Sequence, residues 1–190
     1  MLMGTLILWQ RLDLPGHEIS ALAPHAGGWL LDGTVLVVHE GRPCQLSYRI
    51  ECDAEWETKS VEIRGQVGDR QVRLDLARSP ASAWQLNGVP VPQVDGCIDV
   101  DLGFSPSTNL LPIRRLNLAI GGRATVRAAW VRFPELSLEL LEQVYTRIDA
   151  QRYQYESADG VFRRELSTGP DGFVLEYPDY WRTEAVISTV

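Results

Sequence analysis

Asp99 and Asp101 lie two residues apart in a short segment, 97–103, where they alternate with apolar side chains. In a β-strand this spacing puts both carboxylates on one face, about 6.5–7 Å apart. Two carboxylates at that separation can serve as general acid and base, or bind a hard cation. The same alternation is typical of a solvated outer face. A third interpretation is an ion pair with Arg114 or Arg115.

The two aspartates belong to a longer polar segment, 84–116, whose backbone is fixed by four prolines and three glycines. Within it, the stretch 105–109 is rich in turn-forming residues, whose side chains can bond their own backbone or contact a ligand. The candidate ligand-binding residues of the segment are Trp84, Asn87, Asp99, Asp101, Thr108, Asn109, Arg114 and Arg115. The alternative is a structural belt in which buried polar groups satisfy one another.

The elements that must position these residues are predicted to be mainly strands. Cys44–Cys52 alternates strictly between apolar and polar side chains, which is typical of a half-buried strand. Further strands are predicted at 6–12, 18–23, 33–39, 59–64 and 71–77, and Gly68-Asp69 predicts the hairpin turn between the last two.

In the second half of the chain, 114–120 and 124–133 are predicted as strands joined by a hairpin at Gly121-Gly122. Consecutive arginines in such a strand point to opposite faces, so at most one of Arg114 and Arg115 would meet the carboxylates. The stretch 134–142 fits either a helix or a strand; we favour an irregular or short helical stretch, followed by a strand over about 143–148. Tyr153 with Tyr155, then 161–166 and 173–177, predict three more short strands.

The predicted fold class is therefore mainly β: a strongly curved antiparallel sheet, or incomplete barrel, of about a dozen strands with at most one short helix. A curved sheet leaves a concave face that can hold a ligand. The length predicts a single β-rich domain over residues 1–190. An alternative within that domain is two sub-sheets that meet near 115–135.

Composition limits the classes of partner that the chain is expected to bind and the compartment in which it is expected to lie. The formal net charge of −7 argues against nucleic-acid binding, which requires a basic footprint. No apolar run reaches the about 20 residues that span a bilayer, and the N-terminus lacks a secretory signal pattern. Three cysteines form no disulfide framework, and Cys44 and Cys52 would lie about 26 Å apart in one strand. Together these features predict a cytoplasmic protein.

No known cofactor motif is present. The three histidines show no metal-ligand spacing, and the chain contains no nucleophile elbow, P-loop or dinucleotide fingerprint. We therefore predict neither a metal nor a cofactor, and catalytic residues cannot be assigned from motifs.

The chain resembles a bacterial family of unknown function described as "Putative glycolipid-binding". The matching residues are Tyr48, Cys52-Asp53, Trp56, Trp84, Asn87-Gly88, the stretch 96–102, Thr108-Asn109, the stretch 111–116, Gln143, the stretch 145–147, the stretch 153–157, Gly172-Phe173-Val174 and Tyr177. The family pattern has Thr where this chain has Ser105. The resemblance implies a β-rich fold similar to bacterial carriers that hold lipids inside an incomplete barrel, and it brings no established catalytic residues.

Three hypotheses about function follow. The first is a non-enzymatic module that binds an amphipathic small molecule, a lipid or glycolipid, in a concave cavity lined by aromatic residues such as Trp84 and Trp130. The second is an interaction protein that forms a homodimer. The third is an enzyme acting on a small polar substrate with Asp99 and Asp101 as acid and base, which requires both carboxylates to line one pocket.

Overall fold

The computed structural model describes residues 4–189, which form fifteen strands, one α-helix and three short 3-10 helices. The strands of the first half are β1 (Gly4–Arg11), β2 (Gly16–His25), β3 (Gly28–His39), β4 (Arg42–Cys52), β5 (Thr58–Val67), β6 (Arg70–Arg78), β7 (Trp84–Leu86) and β8 (Val89–Pro90). Those of the second half are β9 (Asp99–Leu102), β10 (Arg123–Arg132), β11 (Ser137–Arg147), β12 (Arg152–Ser157), β13 (Phe162–Thr168), β14 (Val174–Tyr177) and β15 (Trp181–Thr189). The 3-10 helices span Pro92–Val94, Ser107–Asn109 and Ala158–Gly160, and helix α1 spans Leu110–Leu116.

All fifteen strands belong to one sheet, in the order β8 to β1 followed by β15 to β9. Two meanders therefore run outward from the central β1–β15 pair, and each strand pairs antiparallel with its neighbour in sequence. The exception is β9, which pairs parallel with β10. This confirms the predicted mainly β, strongly curved sheet with one short helix, and the sheet does not close into a barrel.

The curvature brings the distant arms of the sheet together on the concave side. Thr58 in β5 donates its backbone N–H to Ile98 O (3.3 Å) and accepts a hydrogen bond at Oγ1 from Val100 N (3.2 Å). These bonds fix the start of β9 against the opposite arm. The acidic strand β9 is the last strand in the sheet order, and these bonds tie this edge strand to the opposite arm.

Period-two burial explains why these residues form strands. In β4 the predicted inward set is buried and the intervening polar residues are more exposed. Gly33 of β3 faces Tyr48 of β4, and a Cβ on Gly33 would lie 2.5 Å from Tyr48 Oη. Glycine at this position therefore leaves room for the Tyr48 ring, which carries a hydroxyl of the buried network described below.

The prediction of a strand over 114–120 was wrong. Residues up to Leu116 form α1, and Asn117 ends the helix in the left-handed conformation. Leu110, Leu111 and Ile113 are buried, so a helical face packs into the concave side of the sheet. Leu116 is the end of the helix, and Leu118 and Ile120 lie in the loop that follows it.

The preference for an irregular or helical stretch over 134–142 was also wrong. Strand β11 begins at Ser137 and pairs with β10 along ten consecutive positions. Apolar residues in this stretch fit both periodicities, and the long-range ladder with β10 decides between them. The C-terminal strand β15, which was not predicted, pairs with β1 and joins the two arms.

The concave side holds two apolar clusters. The larger one is built from both arms of the sheet and from the start of α1. The smaller one, which we call the tyrosine cluster, comprises Ile113, Val126, Tyr145, Tyr153, Tyr155, Leu166 and Val174. Helix α1 contributes to both, so it holds the polar segment against the inner face of the sheet. Cys44, Cys52 and Cys97 are free and buried.

Candidate functional site

Asp99 and Arg115 form a bidentate ion pair inside the curved sheet. The Asp99 side chain is almost fully buried, and Arg115 reaches it from the last turn of α1. Burial raises the pKa of Asp99, and the guanidinium of Arg115 offsets part of that effect. Asp99 therefore does not lie on a solvated outer face, and that interpretation is wrong for this residue. Asp99 forms the ion pair of the third interpretation, with Arg115 as its partner.

Asp101 lies on the same face of β9, where Gln143 Nε2 donates to its Oδ2 (2.7 Å) and also to Tyr155 Oη (3.1 Å). Burial, and then the negative charge of Asp99, raise the pKa of Asp101 to about 6, against the hydrogen bond from Gln143. Asp101 is thus a carboxylate with no cationic ion-pair partner among residues 4–189.

Thr108 and Asn109 fix the turn that leads into α1. Thr108 Oγ1 accepts a hydrogen bond from Leu102 N (3.2 Å), which ties the turn to the end of β9. Asn109 Oδ1 accepts from Tyr145 Oη (2.8 Å), and its Nδ2 donates to Pro106 O (3.1 Å). The belt interpretation thus describes much of this segment.

The remaining predicted site residues are elsewhere. Trp84 is in the large apolar cluster and donates from Nε1 to Cys97 O (2.9 Å). Asn87 lies in the exposed β7–β8 turn, where its Oδ1 accepts from Asp75 N (2.8 Å). Arg114 leaves α1 in a different direction from Arg115, since successive helical residues differ by about 100°. Its guanidinium lies 4.9 Å from the centre of the Trp56 ring.

A pocket of about 400 Å³ lies between β1 and the strands of the second half. We call it the aromatic pocket, because six aromatic rings line it: Trp130, Tyr155, Phe162, Tyr177, Tyr180 and Trp181. Its other polar lining comes from Arg11, Asp101, Ser105, Asn109 and Ser157. Of the eight predicted site residues, only Asp101 and Asn109 line it, and Asp99 does not. Sequence reasoning named Trp130 as a lining residue but not the other five rings.

The aromatic rings of the pocket pack edge-on against one another. Tyr177 contacts Tyr155 at 6.0 Å and Tyr180 at 5.5 Å between ring centres, both nearly perpendicular. This geometry is the preferred one for aromatic pairs and holds the pocket wall in place. Arg11 lies 5.0 Å from the centre of the Trp181 ring and pairs with Asp13. Its Nη1 is buried without a hydrogen-bond partner among the described residues.

A buried hydroxyl network adjoins the pocket at Ser105. Glu18 Oε1 accepts hydrogen bonds from Tyr48 Oη and Ser105 Oγ, both at 2.6 Å, and Ser107 Oγ lies 2.7 Å from Tyr48 Oη. Glu18 Oε2 has no partner within residues 4–189. Burial raises the pKa of Glu18 to about 8, although the hydrogen bonds from Ser105 and Tyr48 act in the opposite direction.

Glu18 was missed at the sequence level although a signal existed. Every second residue of a strand lies on the same face. Because Leu22 faces inward, Ser20 and Glu18 lie on the same inner face of β2. Both are fully buried, whereas the apolar Ile19 between them is exposed. A charged residue on the inner face of a strand is a stronger indication of a site than an exposed acidic pair.

Within residues 4–189, no group of three or more histidine, cysteine or acidic side chains is arranged to hold a metal ion. The helices in this range include none with the length and apolar character needed to cross a membrane.

Comparison with known proteins places this geometry in a family. Residues 6–183 match the family described as "Putative glycolipid-binding". A crystal structure of a DUF1089 family protein from Pseudomonas aeruginosa is similar, with 34% sequence identity and a TM-score of 0.75 over 87% of this chain and 91% of that one. The search of curated proteins found no match. Because the match covers nearly the whole chain, the protein belongs to the "Putative glycolipid-binding" family.

Proposed function

We propose that this chain binds an amphipathic ligand of the glycolipid class in the aromatic pocket. The observation that carries the proposal is the combination of six aromatic rings with five other polar side chains around one volume of about 400 Å³. That volume lies within the range of small-molecule sites, which are typically apolar with a few convergent polar groups. The family description is consistent with it.

The two kinds of lining match the two parts of such a ligand. Aromatic faces pack against alkyl chains and against the C–H faces of sugar rings, removing both from water. Asp101 accepts hydrogen bonds from sugar hydroxyls, and the polar side chains of Asn109 and Ser157 offer further hydrogen-bonding groups in the same lining.

The test uses one pair of variants in β11. Leu141 lines the aromatic pocket, whereas Leu140 is on the opposite face of the strand and is exposed. Leu141→Trp places a larger ring in the pocket and narrows it, and Leu140→Trp adds the same ring outside it. Binding of monomeric octyl glucoside is measured by calorimetry for the wild type and both variants.

We expect saturable binding by the wild type and by Leu140→Trp, and a loss of at least about tenfold in affinity for Leu141→Trp, because the larger ring occupies part of the space and obstructs the ligand. If both tryptophan variants are folded, as judged by circular dichroism, and bind with equal affinity, the ligand does not bind in this pocket.

A further inference from the structure

A second pocket lies beside the C-terminal part of α1 and carries a charge opposite to that of the acidic strand residues. It has a volume of about 270 Å³ and includes Arg114 and Arg147, and we call it the arginine pocket. Trp56, Asn117, Tyr153 and Gly172 also line it. The lining contains two guanidinium groups and no aspartate or glutamate. In a chain with a net charge of −7, such a pocket is unexpected.

We infer that the arginine pocket binds a phosphate-type oxyanion carried on a small organic group. This site is separate from the aromatic pocket, and the two share no lining residue.

Arg114 is held in place without using its hydrogen-bond donors. Its guanidinium stacks on Trp56, whose ring in turn stacks on Trp29 with 4.4 Å between ring centres and 15° between planes. Gly172 lies directly against its side chain, since a Cβ there would be 3.0 Å from Arg114 Cδ. In the described part of the chain Arg114 makes no ion pair and no hydrogen bond. Stacking therefore positions a guanidinium whose five N–H groups stay available to a ligand.

Arg147 is positioned by neutral partners. It donates from Nε to Asp149 O (3.1 Å) and from Nη1 to Leu118 O (2.7 Å), with a longer bond from Nη2 to Ala150 O (3.4 Å). Carbonyl oxygens fix the side chain but do not neutralise its charge. The carboxylate of Asp149 is directed to Arg152 instead. The Arg147 charge is therefore uncompensated by any direct ion pair within residues 4–189.

Two neutral donors complete the lining. Tyr153 is almost fully buried, yet its hydroxyl has no hydrogen-bond partner in the described structure. Asn117, at the end of α1, is exposed, and its side-chain amide also makes no hydrogen bond in the described structure. Asp171 lines an adjoining groove with Arg114, but its Oδ1 accepts from Phe173 N (3.2 Å) and it makes no ion pair with that arginine. The free fork of Arg114, the remaining N–H groups of Arg147 and two neutral donors around one space suit an acceptor with several oxygens.

A tetrahedral phosphate monoester has the required oxygens. Bidentate guanidinium contacts are the common mode of phosphate recognition, and a carboxylate would leave more of the donors unused. The pocket also has room for the group that bears the phosphate. The chemistry fits a soluble phosphorylated metabolite and a phosphate-bearing lipid head group equally, so the test must separate these two sources.

The experiment compares glycerol 3-phosphate in solution with vesicles of phosphatidylcholine containing phosphatidic acid. Calorimetry and vesicle flotation are carried out on the wild type, Arg114→Gln, Tyr153→Phe and Arg123→Gln. Arg123 is an exposed arginine outside the pocket, so it controls for general loss of charge. Leu141→Trp is included because it blocks only the aromatic pocket.

We expect saturable binding of glycerol 3-phosphate that weakens at least about tenfold in Arg114→Gln and by a smaller factor in Tyr153→Phe. Arg123→Gln and Leu141→Trp should bind as the wild type does, so failure here is distinguishable from failure of the glycolipid proposal. If the wild type binds vesicles and Arg114→Gln does not, the source of the phosphate is a lipid head group. If the wild type binds glycerol 3-phosphate but not vesicles, the source is a soluble metabolite. Absence of both, or equal binding by Arg114→Gln and Arg123→Gln, would overturn the inference.

Discussion

Arg115 donates two hydrogen bonds to Asp99, from Nε to Oδ1 at 3.0 Å and from Nη2 to Oδ2 at 2.6 Å. The pair joins the C-terminal turn of α1 to β9. It accounts for why a seven-residue helix, too short to be stable alone, keeps a fixed position on the concave face.

Removing the arginine of this pair should be costly. Arg115→Gln leaves a buried carboxylate without its cation, and we expect a loss of about 3 kcal/mol in the free energy of unfolding. Arg114→Gln, one residue earlier, removes only a stacking contact and should cost about 1 kcal/mol or less. Urea denaturation measures both. Similar losses for the two variants would mean that the ion pair does not hold the helix in place. Adding Asp99→Asn to Arg115→Gln should recover part of the lost stability, because the unpaired buried charge is then removed.

The free energy of unfolding should fall as the pH rises from about 4.5 to 8. Glu18 has a folded-state pKa raised to about 8 from an ordinary value of 4.5, so the folded protein holds a proton that the unfolded chain has released. Asp101, with a pKa raised to about 6, acts in the same direction over the lower part of this range. We expect a loss of about 2–4 kcal/mol between pH 5 and pH 8.

The variant Glu18→Gln should remove most of that dependence, because a neutral amide has no proton to lose. Urea denaturation at pH 5, 6.5 and 8 provides the comparison. A wild type with the same unfolding free energy at pH 5 and pH 8 would show that the carboxyl is not kept protonated by burial.

Two tyrosines of the tyrosine cluster should respond differently to loss of the hydroxyl. Tyr145 Oη donates to the buried Asn109 Oδ1, so Tyr145→Phe leaves that oxygen unpaired and should cost about 1–3 kcal/mol. Tyr153 Oη has no hydrogen-bond partner in the described structure, and Tyr153→Phe should change stability by less than about 0.5 kcal/mol. Thermal and urea unfolding of the two variants tests this, and the reverse order of stabilities would contradict the assigned hydrogen bonds.

The sequence was sufficient for the architecture wherever one face of a strand is buried. The alternation in 44–52 and the Gly68-Asp69 turn are local signals, and the structure has β4 and the β5–β6 hairpin where they predict them. Prediction failed where two periodicities fit the same residues. In 134–142, pairing with a strand distant in the chain decided the outcome, and a single sequence contains no record of that pairing.

The site was only partly predictable for a related reason. Asp101 and Asn109 are close in sequence to the other polar residues of their segment, so composition indicated them. The rings of Tyr177 and Trp181 come from the other end of the chain and reach the pocket only because β15 pairs with β1. Aromatic residues spread singly along a sequence are typical of a core, and only the fold shows that these surround a space.

Ligand binding should depend on the protonation of Asp101. The ionised carboxylate is the stronger hydrogen-bond acceptor for sugar hydroxyls, and its pKa of about 6 predicts protonation in mild acid. We expect octyl glucoside to bind about three- to tenfold more weakly at pH 5 than at pH 7.5. In Asp101→Asn the affinity should be lower at pH 7.5 and nearly the same at both pH values. If Asp101→Asn kept the full pH dependence of octyl glucoside affinity, a group other than Asp101 would be responsible for that dependence.

The most direct test of the central claim is native mass spectrometry of the wild type, Leu140→Trp and Leu141→Trp, each isolated gently from the producing cells, followed by extraction of any bound molecule. The account predicts a stoichiometric amphipathic adduct on the wild type and on Leu140→Trp that is absent from Leu141→Trp. A wild-type protein without an adduct that also fails to take up a glycolipid on incubation would contradict it, as would an adduct that Leu141→Trp retains in full.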